Sequence, residues 1–193
     1  MPIERGISFE AVCQSLKRCV ATLRDADVPF LVGGSAALWA RGGPQYVEDL
    51  DFVVKPQDAE RALEALVEAG CEAIRPPEEW LLKARDGEVD IDVIYEPSGF
   101  TIDDDVLERG DDMDVLGMSM PVMALEDIFT TKLLSLKEHY LDYEGLLAFS
   151  RALREQVDWG DVRARTSESP FAKAFFVLIE ELGIVPSARA RAV

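Results

Sequence analysis

An α+β fold, a mixed sheet flanked by helices with a C-terminal helical extension, is predicted by three features of this 193-residue sequence. Apolar residues recur at spacings of three and four in an early and a middle stretch and again near the end, as helices packing one face require. Two acidic segments, Asp49-Leu50-Asp51-Phe52-Val53-Val54 and Val89-Asp90-Ile91-Asp92-Val93, alternate with period two, as half-buried strands do. Glycine, proline, serine and aspartate turn residues separate these stretches at short intervals.

The first helix is predicted to begin after Ser8, a good N-cap, and to bury Phe9, Val12, Cys13, Leu16, Cys19, Val20 and Leu23. An apolar strand follows over Pro29 to Val32, then the turn Gly33-Gly34-Ser35, and then a short helix, Ala36 to Ala40, with Ser35 at its start. Residues 49–54 form the next strand. Pro56 fits the first turn of a helix that carries Ala59, Leu63, Leu66 and Val67 on one face and ends at Gly70. Trp80 to Ala84 and Val89 to Tyr95 read as a hairpin joined across Asp86-Gly87, with Lys83 near the turn.

Residues 101–114 hold Asp103-Asp104-Asp105 and Asp111-Asp112 among few apolar positions and are expected to form a solvated loop or short helix, not a second metal site. A short strand is expected near Val115 to Met118, after which Pro121 leads into a helix from Leu125 to Lys137. The remainder is expected to be helical. Leu146, Leu147, Phe149 and Leu153 mark one segment, while Phe171, Phe175, Leu178, Ile179 and Leu182 mark the last, opened by Ser169-Pro170 and closed by Gly183. Beyond Pro186 the tail with Arg189-Ala190-Arg191 is expected to fray. These elements divide into a core over residues 1–120 and a helical part over 121–193, packed as one compact unit.

The acidic strands carry the candidate chemistry. Asp49 and Asp51 share one face of their strand, and Asp90 and Asp92 share one face of theirs. If the strands are neighbours, the carboxylates converge, and like charges roughly 5 Å apart are destabilising unless a cation joins them. Oxygen ligands without histidine or thiolate favour Mg2+ or Mn2+ over zinc. Gly33 and Gly34 permit close approach of backbone to a ligand, and the amides after Ser35 would face a phosphate. Lys132 is a candidate phosphate partner. The lone His139 is assigned no role.

Taken in this order, Gly33-Gly34-Ser35, Asp49-x-Asp51 and Asp90 resemble the minimal nucleotidyltransferases of the polymerase-beta-like superfamily over the first half of the chain. Ala124-Leu125-Glu126-Asp127-Ile128-Phe129-Thr130-Thr131-Lys132-Leu133-Leu134, followed by Asp142, is similar to the lysine helix and later acidic position of AbiEii-type and MenT-type toxin nucleotidyltransferases. The arginine-aspartate pair often seen at that acidic position is represented here by Leu141-Asp142 and Glu144. The resemblance implies a nucleotidyltransferase-like sheet and metal ligands Asp49, Asp51 and Asp90, with Asp92 as an alternative to Asp90. It also implies nucleotide binding by Gly33, Gly34, Ser35 and Lys132. The expected activity is transfer of a nucleoside monophosphate from a nucleoside triphosphate to an acceptor hydroxyl. For a toxin of this kind the acceptor would be the 3′ end of tRNA, and the chain would have an antitoxin partner. The rival readings are modification of a small molecule such as an antibiotic, and a non-catalytic binding protein with the same fold.

Composition narrows these classes. A formal net charge of −17 argues against broad duplex binding, because nucleic-acid backbones are bound mainly through Lys and Arg. It leaves open capture of a nucleic-acid end by a local basic patch, and it suits a protein that pairs with a basic partner. No apolar run reaches the roughly 20 residues of a membrane span, and a secretory leader pattern is absent at the N-terminus, so a cytoplasmic location is expected. Cys13, Cys19 and Cys71 lack ligand spacing and are expected to be buried thiols.

Overall fold

The computed structural model describes residues 7–74 and 77–186, so the tail with Arg189-Ala190-Arg191 lies outside the described residues. Helix α1 (Phe9–Asp25) opens where its cap chemistry dictates, with Ser8 Oγ accepting from the Ala11 amide at 3.1 Å. Strand β1 (Phe30–Val32) is buried throughout and runs into α2 (Gly34–Ala40), for which Gly33, not Ser35, is the N-cap. Strand β2 (Asp49–Val54) is followed by a single 3-10 turn, Pro56–Asp58, and by α3 (Ala59–Glu68). Gly70 ends that stretch at φ 102, a conformation that favours glycine. Three strands come next: β3 (Glu72–Ile74), β4 (Leu81–Asp86) and β5 (Val89–Ile94). Then follow α4 (Asp104–Glu108), β6 (Asp111–Val115) and β7 (Met118–Val122). The chain continues through α5 (Leu125–Leu134), α6 (Tyr143–Leu153), α7 (Trp159–Arg165) and α8 (Pro170–Glu181).

The strands form one seven-stranded mixed sheet in the order β3-β4-β5-β2-β1-β7-β6. Its register decides which faces are apolar. Strand β5 runs parallel to β2, pairing Asp49 with Asp90, Leu50 with Ile91 and Asp51 with Asp92. Leu50, Phe52, Ile91 and Val93 therefore point together to one face, where all four are fully buried. Helix α1 reaches that face as well, since Ser15 and Arg18 both donate to the Asp86 carboxylate at the end of β4. The opposite face carries the aspartates.

Two elements depart from expectation. The segment expected as a loop contains α4 and β6, and the residues expected as a strand near Val115 to Met118 form the turn of a β6–β7 hairpin instead. Leu116 and Gly117 occupy that turn with φ 57 and φ 75, the pair of positive values that a type I′ turn needs. Leu116 stands where Asn or Asp is usual, so the turn chemistry was concealed. Strand β6 lies at the sheet edge with exposed Asp111, Asp112 and Asp114, so no apolar alternation announced it. Helix α5 ends at Leu134, three residues before the expected end. Of the cysteines, Cys19 is buried while Cys13 and Cys71 are half-buried.

Candidate active site

The site is assembled by the turn after β1 and by the carboxylate face of β2 and β5. The Gly33 amide donates to the Asp51 carbonyl at 2.8 Å, which extends the β1–β2 pairing into the turn. Gly34 then adopts φ 53, and a Cβ built there would lie 1.6 Å from Asp51 Oδ2. Glycine is required twice over, by backbone conformation and by the carboxylate packed against it. A Cβ on Gly33 would also meet Val53 Cγ2 at 2.9 Å. The close approach read from the sequence is thus first an approach of backbone to Asp51. Arg41 anchors the far end of α2 by donating to the carbonyls of Met123 at 3.0 Å and Val122 at 3.1 Å.

One carboxylate oxygen from each of Asp49, Asp51 and Asp92 lies within 4.8 Å of the others. Asp92 rather than Asp90 completes this group because register places it level with Asp51. Asp90 lies one row away, beside Asp49, and its Oδ1 accepts from Arg85 Nε at 2.6 Å. Among the named site residues, the structure therefore brings Asp49, Asp51 and Asp92 together and ties Asp90 to a basic neighbour.

Burial, reinforced by Asp49 and then Asp92, pushes the Asp51 carboxyl up to about 7, against the opposing charges of Lys132 and Lys83. Burial also raises Asp92, in spite of its hydrogen bond with Lys83. Both shifts mark a site short of positive charge. Its donors are all hard carboxylate oxygens, a set that could hold a metal ion.

Lys83 is the functional candidate that sequence reading passed over. Its Nζ lies 2.6 Å from Asp92 Oδ1. Burial pulls its ammonium down, but the hydrogen bond with Asp92 and the charges of Asp92, Asp90 and Asp49 outweigh this and hold it above the ordinary lysine value. The expected turn at Asp86-Gly87 would have paired Lys83 with Asp90, but the chain turns one residue later. The two-residue turn Gly87-Glu88 fixes the register outward through Asp86–Val89, Arg85–Asp90 and Ala84–Ile91 to Lys83–Asp92.

The acidic group opens onto a cleft of about 850 Å³, a volume typical of small-molecule and cofactor sites. Gly34 and Ser35 form part of its wall, and Lys132, in the last turn of α5, stands in it with Lys137. Ser35 Oγ is buried without a hydrogen-bond partner, an orphan group beside the glycine turn. Asp142 caps α6 by accepting from the Glu144 amide at 3.0 Å and also lines the cleft. Glu48 and Glu144 line it too, with the aromatic rings of Tyr46 and Tyr140. The two tyrosines are 58% and 65% exposed, and the Tyr46 ring meets Phe149 edge-on at 6.1 Å. Asp142 and Glu144 were visible in the sequence as an acidic position, whereas Glu48, Tyr46 and Tyr140 carried no signal there.

The fold has counterparts among solved structures. The antibiotic-resistance factor ANT(2'')-Ia, solved in solution, superposes with a TM-score of 0.64 at 14% identity, over 91% of this chain and 99% of its own. The same factor in complex with adenylyl-2''-tobramycin gives 0.62 at 12% identity, over 84% and 97%. A protein from Thermotoga maritima assigned as a nucleotidyltransferase gives 0.52 at 16% identity, over 67% and 87%. These likenesses are likenesses of fold. Curated proteins searched by sequence yield no match. The family described as "Uncharacterised nucleotidyltransferase" matches residues 14–180, nearly the whole of the described chain. The chain belongs to this nucleotidyltransferase family.

Proposed function

We propose that this enzyme transfers a nucleoside monophosphate from a nucleoside triphosphate to a small hydroxyl compound bearing positive charge. A divalent ion, Mg2+ or Mn2+, would be held by Asp49, Asp51 and Asp92. The observation that carries the reading is the approach of three carboxylates within 4.8 Å beside the Gly34 turn. When bound, the ion supplies charge neutralisation to the phosphates. Gly33 and Gly34 let the triphosphate approach the backbone, the Ser35 hydroxyl gains its missing partner from a phosphate oxygen, and Lys132 offsets phosphate charge. The acceptor oxygen forms a bond to the α-phosphorus as the bond to the bridging oxygen breaks and pyrophosphate leaves. The acceptor's proton passes to solvent water, since Asp92 has one oxygen on Lys83 and the other committed to the ion.

The positive charge of the acceptor is argued from the rim. Glu48, Asp142 and Glu144 would attract a cation, and Tyr46 and Tyr140 present faces on which a cation or ring packs favourably. That ANT(2'')-Ia is seen with adenylyl-2''-tobramycin supports a small acceptor on this fold. A tRNA 3′ end, with the chain acting as a toxin beside an antitoxin, would have to enter the same acidic rim against the charge of its own phosphates.

The test offers each of four α-labelled nucleoside triphosphates with Mg2+ to a panel of amine-bearing and neutral hydroxyl compounds and to total tRNA. Label on amine-bearing compounds alone is expected. Label at the tRNA 3′ end, with none on the small compounds, would replace this reading with the toxin one.

A further inference from the structure

We propose that Lys83 stands in for a second divalent cation, so that the carboxylate cluster takes one metal ion rather than two. The inference rests on the nucleotidyl-transfer reading and concerns how its acidic site is neutralised.

Strand order fixes the geometry. Strand β5 lies between β4 and β2, so its aspartates have basic residues on one side and further aspartates on the other. In one transverse row Lys83, Asp92 and Asp51 follow each other, and in the next Arg85, Asp90 and Asp49 do. Each β5 carboxylate is tied to the β4 cation at its own level, Asp92 to Lys83 and Asp90 to Arg85, each at 2.6 Å. Strand β4 thus supplies β5 with positive charge that cannot diffuse away, while β2 supplies Asp49 and Asp51.

The two pairs differ in shelter. Side chains are 30% and 13% exposed for Lys83 and Asp92 but 37% and 33% for Arg85 and Asp90, so water screens the first pair less. An ion shared by Asp49, Asp51 and the Asp92 oxygen not held by Lys83 would lie toward β2, on the side of β5 away from Lys83. A second ion on Asp92 would have to take the oxygen that the ammonium already occupies, against the repulsion of both the ammonium and the first ion. Lys83 is therefore a positioning residue: it holds Asp92 and blocks one cation site.

The experiment counts Mn2+ bound per chain, from the electron paramagnetic resonance of free Mn2+ during titration of the full chain with Mn2+ alone. Each count is taken net of the same chain carrying Asp49→Asn and Asp51→Asn, which removes ions held elsewhere on the acidic surface. Wild type and Lys83→Arg are expected to bind one ion. Lys83→Met and Lys83→Gln, two ways of removing the charge while keeping the stem, are expected to bind two. A count of two in wild type, or of one in every variant, would overturn the inference and leave the transfer reading standing. A count of zero in wild type would overturn the metal site and the inference together.

Discussion

Gly34 shows how little room a single residue leaves at this site. A methyl group there would lie 1.6 Å from Asp51 Oδ2 and would hold an L-residue at φ 53. Gly34→Ala is expected to lose about 1–2 kcal/mol of stability through backbone strain and to abolish metal binding by turning Asp51 aside. Thermal melting and Mn2+ titration check the two effects separately. Asp51 itself supplies a pH dependence. Its carboxyl is raised from 3.8 to about 7 in the fold, so between those values the folded state holds a proton that the unfolded state has released. Relative to Asp51→Asn, the metal-free wild type should therefore lose stability as pH rises from about 4 to about 7. Above about 7 Mg2+ should restore the wild type and leave the variant unchanged. Melting temperatures across this range, with and without Mg2+, give the comparison; a difference that grows in the opposite direction would contradict the assignment.

At the scale of elements, helix α5 carries Lys132 into the cleft and is held by a buried ion cluster. Asp127, fully buried in its first turn, accepts from Arg109 Nε at 3.1 Å and from Arg165 Nη2 at 2.6 Å. This joins α5 to the residue that ends α4 and to α7. Asp127→Asn is expected to cost about 2–3 kcal/mol in urea unfolding, at the low end for a broken buried pair because both guanidinium groups keep contact with water. Elements of this kind differ in how visible they were beforehand. The caps Ser8 and Ser169 and the apolar faces of α1 and α8 announce themselves locally, since a helix places its signals within a few residues. The alternation in β2 and β5 likewise put the four aspartates on one sheet face. The β6–β7 hairpin was hidden by Leu116 at a positive φ and by an acidic edge strand. The choice of Asp92 over Asp90 depended on register between strands far apart in sequence, a tertiary fact. The Lys83–Asp92 pairing likewise depended on where the hairpin turns, one residue beyond the expected Asp86-Gly87.

For the whole molecule, a net charge of −17 sets the long-range field around the cleft. An amine-bearing acceptor would be drawn in by that field and by the carboxylates of the rim, so its KM should rise with NaCl, most steeply below about 0.15 M. A neutral acceptor of similar size should show little change. The same field opposes a nucleic acid. The fold and the family need no such field, because both rest on a sheet whose register aligns β2 with β5 and on the glycine turn that meets Asp51.

The central claim is that Asp51, beside that turn, holds the divalent ion on which nucleotidyl transfer depends. Pyrophosphate release from nucleoside triphosphate, measured in the presence of an acceptor, with Mg2+ or with excess chelator, for wild type and Asp51→Asn, tests it most directly. The expected result is release by the wild type with Mg2+ alone, reduced by about 10³-fold in the variant and in the chelator, since such an ion is worth several kcal/mol to the transition state. Undiminished release by Asp51→Asn, or by the wild type in excess chelator, would contradict it.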